Sequence, residues 1–183
     1  MYFNEIINLN KGILSYKQLL FEILFFSILC IILPSVFVHP QWVVGTLVNA
    51  ILFRVAITQK GWKFILPIVV LPSIGAIFSG IIFGTPILIL FIFAPLIWLG
   101  NFSYILINKF CIFKKRLNLG VSLLLSSITK FIILFLSAFI AVYLFNFPDI
   151  LLTTMGLIQI LTAIFGGLLA VSYQELENIY KTY

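Results

Sequence analysis

Charge is scarce in this chain of 183 residues: only 9% are Asp, Glu, Lys or Arg. Soluble domains carry about 25%, so a water-exposed globular surface is excluded. There is one histidine, His39, which rules out a multi-histidine metal or haem centre. The two cysteines, Cys30 and Cys111, lie in apolar runs of different segments and form no C-x-x-C pair. Neither a disulfide framework nor a cysteine metal site is expected. The G-x-x-x-x-G-K-[ST] loop that cradles ATP phosphates is missing, as are the G-x-S-x-G elbow and H-E-x-x-H. No carboxylate pair sits at catalytic spacing either. The chain is read as a non-enzyme, without cofactor and without a nucleic-acid role.

Apolar residues fill the space that charge leaves. The chain is 63% hydrophobic, with a mean hydropathy of +1.24 and 20 phenylalanines, and Leu, Ile, Phe and Val are the side chains that insert best into lipid. A bilayer core takes about 20 residues per helix, so six spans use roughly 120. The expected fold is an all-α integral membrane protein, a compact bundle of about six transmembrane helices. The spans are placed at about 19–38, 41–58, 64–83, 87–107, 120–144 and 150–171. Breaks fall at His39-Pro40, Gln59-Lys60-Gly61, Gly84-Thr85-Pro86, the basic cluster Lys109 to Arg116, and Asn146-Phe147-Pro148-Asp149. Residues 1–17 read as a cytoplasmic interfacial segment, 18–173 as the transmembrane domain and 174–183 as a cytoplasmic tail. The first apolar run starts after Lys17 and is too long for a signal-peptide core, so no cleavable leader is read.

Where the positive charge falls sets the orientation. All eleven lysines and arginines except Lys130 lie before span one, at or between spans two and three, between spans four and five, or in the tail. The connections after spans one, three and five have none. The positive-inside rule then makes both termini cytoplasmic. Three spans in each sense would permit an inverted repeat, but the halves share no convincing sequence similarity.

Small and polar residues recur at helical spacing: Gly45, Asn49 and Ala56; Ala76, Gly80 and Gly84; Ser122, Ser126, Lys130, Ser137 and Ala141; Gly156, Gln159, Ala163, Gly167 and Ala170. The Gly, Ala and Ser positions read as helix packing, while Asn49 and Gln159 admit packing or function. Lys130 stands out. A lysine at mid-span costs roughly 2.5–3.5 kcal/mol on insertion scales, so it faces the bundle interior or a wet cavity. Glu22 is a possible partner, which leaves an internal tether, an anion site or a proton relay open. Arg54, nearer the inner end, reads as snorkelling. On the outer side His39, Gln41, Trp42, Tyr143, Asn146 and Asp149 gather at the predicted boundary, as interface anchors or as the rim of a pocket.

A chain of about 180 residues with six spans and no energy-coupling motif resembles the S components of energy-coupling factor transporters. The resemblance rests on His39-Pro40-Gln41-Trp42-Val43-Val44-Gly45 with Asn49, on Ile97-Trp98-Leu99-Gly100-Asn101, and on Gln159-Ile160-Leu161-Thr162-Ala163 followed by Gly166-Gly167. It implies capture of a vitamin-like or other small-molecule micronutrient outside a prokaryotic plasma membrane. The partners would be a transmembrane T component and ATPase subunits. It also implies an outward pocket drawing on Tyr143, Asn146, Asp149 and Gln159, with His39 to Trp42. One departure is plain: the Ala-x-x-x-Ala with which many S components dock is absent from span one. The alternatives are a membrane scaffold or assembly subunit, and a small self-sufficient carrier or channel lined by Lys130 and Glu22.

Overall fold

The computed structural model describes residues 2–7, 15–37, 40–83 and 87–180. His39 and the Gly84-Thr85-Pro86 break lie outside them. Helices account for almost all of this, and no strand occurs among the described residues. A short α1 (Tyr2–Ile7) precedes α2 (Tyr16–Val36), α3 (Gln41–Thr58), α4 (Trp62–Phe83) and α5 (Ile87–Lys109). A π-helical turn, Phe110–Lys114, prolongs α5. Then come α6 (Leu119–Phe145) and α7 (Ile150–Leu152), which runs through a second π turn, Thr153–Leu157, into α8 (Ile158–Tyr180). Six of these helical stretches are long and apolar enough to cross a membrane. Even α3, with 18 residues, is about 27 Å long at 1.5 Å per residue.

Local chemistry explains where the helix ends differ from expectation. α2 starts three residues before the expected span because Ser15 and Gln18 form a capping box: each side chain bonds the other's backbone N–H. Asn118 caps α6 by accepting from the Val121 N–H at 2.8 Å. The basic stretch expected as a loop from Lys109 is instead helical as far as Lys114, leaving residues 115–118 to make the turn into α6. The polar segment after residue 173 continues α8 to Tyr180. Asn146 ends α6 in the left-handed region (φ 55°), a conformation asparagine tolerates better than most residues.

Around the bundle, α2 packs on α4, α4 on α5, α5 on α6, α6 on α8 and α8 on α3, while α3 also touches α5, α2 and α4. α3 is thus the central helix. From Asn49 to Thr58 every residue except Ala50 is buried, whereas α2 and α6 turn rows of Phe, Leu and Ile outward. Two glycines allow the closest backbone approaches. A Cβ on Gly166 of α8 would stand 2.4 Å from the Thr46 carbonyl oxygen of α3, and one on Gly75 of α4 2.5 Å from that of Ile31 in α2. On α4 the close approach to α2 falls on Gly75.

One end of the bundle collects the positive charge: Lys17, Arg54, Lys60, Lys63, Lys109, Lys114, Lys115 and Arg116 all belong to it. α1 closes over this end. Its Ile7 is fully buried, the Ile7 carbonyl accepts from the Gly61 N–H, and Glu5 meets Lys114 at 2.5 Å. We call this the inner end.

Candidate functional site

Four helices bring polar side chains to one level near the middle of the bundle. Lys130 lies eleven residues into α6, about 17 Å from its inner end at 1.5 Å per residue. Asn49 of α3, Asn101 of α5 and Thr162 of α8 stand at matching depth. The Lys130 Nζ donates to Asn49 Oδ1 at 2.6 Å and to Asn101 Oδ1 at 2.8 Å. It also sits 5.6 Å from the centroid of the Tyr104 ring, within cation–π reach. Lys130 is only 2% exposed and both asparagines are buried.

The amide oxygens are not free to turn away. Asn49 Nδ2 donates to the Gly45 carbonyl at 2.9 Å and to Thr162 Oγ1 at 3.2 Å. Asn101 Nδ2 donates to the Val69 carbonyl of α4 at 3.1 Å. Tyr104 is pinned by its hydroxyl, which donates to the Ala163 carbonyl at 3.0 Å. The amide nitrogen of each asparagine is thus held in a way that aims its oxygen at Lys130. Two amide oxygens occupy two of the three ammonium hydrogens, and no carboxylate touches the amine among the described residues. Chemically, this is a buried amine held by two amide oxygens beside an aromatic ring.

A second network occupies the inner half. Glu22 accepts from Arg54 Nε at 2.9 Å, Thr58 Oγ1 at 2.9 Å and Gln59 Nε2 at 2.5 Å. Arg54 Nη1 donates to Gln174 Oε1 at 2.7 Å, and its guanidinium lies 5.4 Å from the Tyr173 ring. The Glu22 and Arg54 side chains are 13% and 9% exposed. Lys109, expected in the basic break between spans four and five, is fully buried and donates to the Gln59 carbonyl at 2.6 Å.

These contacts correct two expectations. Glu22 does not pair with Lys130, because it stands only about 9 Å along α2, a turn and a half short of the lysine's level. Arg54 does not simply snorkel: it lies at Glu22's depth and completes an ion pair. Lys130 and Glu22 therefore belong to two separate centres.

Of the other sequence candidates, Gln159 is half-buried one turn from the centre, and its carbonyl accepts from Thr162 Oγ1 at 3.2 Å. The outer residues do not converge on Lys130. Trp42 and Tyr143 are 62% and 64% exposed. Gln41, Asn146 and Asp149 are exposed as well, and Asn146 is accounted for by its capping conformation. Sequence reasoning did not assign Asn101, Tyr104 or Thr162 to the site. The first and last stood inside the quoted motifs, while a tyrosine at an inner-half position carried no signal. No protein-family model, curated protein or solved structure matches this chain.

Proposed function

We propose that the chain is a substrate-binding membrane subunit of a transport system, and that Lys130 anchors an anionic group of a small substrate. The observation that carries this reading is the partner set of Lys130: two fixed amide oxygens and a ring, with no carboxylate among the described residues. A lysine kept only as an interhelical tie would be cheapest beside a carboxylate, since desolvating an unpaired charge costs several kcal/mol. A charge held by dipoles stays available for an anion.

The resemblance to S components of energy-coupling factor transporters fits this reading. A binding subunit without a nucleotide loop of its own draws energy from partner ATPases and a transmembrane partner. With the basic inner end facing a prokaryotic cytoplasm, both termini lie inside and the substrate enters from the α6–α7 side. Span one has no Ala-x-x-x-Ala, so docking of the transmembrane partner uses another surface.

A thermal-shift screen of small carboxylates and phosphate esters tests the reading. One class is expected to raise the melting temperature of the wild type and to leave Lys130→Met unmoved. At a hundredfold excess over Kd the stabilisation is about 2.7 kcal/mol. Equal shifts in both proteins would remove Lys130 from the binding site.

A further inference from the structure

A second apolar cluster stands beyond the Lys130 centre, on the side away from the inner end. Phe93 of α5, Leu134 and Ala138 of α6, Leu151 of α7 and Met155 of the second π turn are among its buried members. Leu134 and Ala138 lie one and two turns outward from Lys130 on the same face of α6. Met155 precedes Thr162 by seven residues and Phe93 precedes Asn101 by eight, so each stands about 10–12 Å outward of the centre at 1.5 Å per residue. The cluster thus closes the centre toward the α6–α7 side, where the substrate would enter.

Its walls are not held alike. α6 runs unbroken through this level. α5 is tied to α4 by Trp98 Nε1, which donates to Ser73 Oγ, and by the Asn101 bond to the Val69 carbonyl. Residues 150–157 have neither support. α7 is three residues long with no side-chain cap. Its first bonds are single turns, from the Leu151 N–H to the Pro148 carbonyl and from the Leu152 N–H to the Asp149 carbonyl. The π turn follows, where the Ile158 N–H reaches back to the Thr153 carbonyl. Among the described residues the stretch has one side-chain hydrogen bond, and it is internal, from Thr154 Oγ1 to the Leu151 carbonyl at 3.3 Å. Apolar contact is what seats it against α5 and α6, and a segment held by so few bonds opens at lower cost than the rest of a fold. π turns are irregular points in a helix and recur at functional sites.

We propose that residues 150–157 form a lid over the Lys130 centre, which pivots at the π turn and withdraws Leu151 and Met155 from the outer cluster to admit the substrate. Such a lid presupposes the anion site at Lys130, yet it governs access rather than affinity.

Two measurements on the full chain in mild detergent test the lid without a ligand. In the wild type, amide hydrogen exchange is expected to run about tenfold or more faster over residues 150–157 than over 137–145, the last turns of α6 at the same level. Equal protection would overturn the lid. The second reads access. In a Cys30→Ala, Cys111→Ala background, Lys130→Cys places a thiol at the centre, and sulfonatoethyl methanethiosulfonate, a small anion, reports how often it is reached. Met155→Ala is expected to speed the modification by about tenfold or more, because it removes contacts that the closed lid alone makes. Ile65→Ala, a comparable truncation in the buried cluster around α3, is expected to change the rate by less than about twofold. Similar acceleration by both, or none by Met155→Ala, would overturn the lid. A lid that fails leaves the anion site to the thermal-shift screen, which reads affinity with Lys130 in place.

Discussion

Two polar centres share this bundle, and they handle buried charge in opposite ways. In the inner half Glu22 and Arg54 neutralise each other, and Thr58, Gln59 and Gln174 take up further hydrogen-bonding capacity. In the middle, among the described residues, Lys130 meets the oxygens of Asn49 and Asn101 and the Tyr104 ring. The first arrangement resembles a fastening: removing one partner strands the other. The second leaves the amine without a carboxylate partner among the described residues. Buried basic side chains in this bundle therefore have two kinds of partner set, an ion pair and a pair of amide oxygens.

The largest effect should come from stranding Arg54. Glu22→Leu is expected to destabilise the protein by about 3–5 kcal/mol, whereas adding Arg54→Met should recover most of that loss. Unfolding in mild detergent measures both. A mild single variant would erase the contrast between the centres.

Gly166→Ala should come next. Its Cβ would press on the Thr46 carbonyl and lie 2.8 Å from the Asn49 Cβ, forcing α3 and α8 apart at a cost of about 1–3 kcal/mol. The disturbance falls on the turn that carries Asn49, so ligand-induced stabilisation should shrink while Arg54 cross-links to α2 persist. Loss of both together would mean that the centres are mechanically one.

Asn101→Asp puts a carboxylate against Lys130, where the described residues place none. Anion binding should weaken by roughly tenfold or more, about 1.4 kcal/mol or above, with the fold retained. Calorimetric titration with the ligand found by thermal shift decides it; unchanged affinity would show that the lysine's charge is not what the ligand meets. The smallest effect belongs to the inner surface. Lys114→Ala removes a largely exposed pair with Glu5 and should cost no more than about 1 kcal/mol. A larger loss would promote α1 from a cover to a third fastening.

Much of this arrangement was legible in the sequence, because hydropathy and charge placement act over whole helices. Six apolar runs, separated alternately by basic breaks and breaks without Lys or Arg, leave little freedom in where the long helices fall. The special status of Lys130 was legible for the same reason: its cost at mid-span is a property of one residue and its position. Its partners were not. Pairing depends on depth and azimuth together. Glu22 attracted attention as a carboxylate within an apolar run on the inner half, while Arg54, hidden by its place near a helix end, stood at the right level to claim it. Asn101 and Thr162 become ligands of the centre only because α5 and α8 turn those faces toward α3, a rotation that no run of apolar residues specifies. Lys109 misled in the other direction. It begins a basic cluster, yet α5 carries it on into the protein, where the Gln59 carbonyl receives it.

The central claim is that Lys130 holds an anionic substrate. Its most direct test is mass spectrometry of small molecules released from wild-type and Lys130→Met protein after the same mild purification, with the melting temperatures of both recorded. The expected result is one anionic compound near equimolar amount in the wild type, lost from a variant that melts within a few degrees of it. The same compound retained by Lys130→Met, or a wild type that carries only uncharged molecules, would contradict the claim and make Lys130 a second fastening.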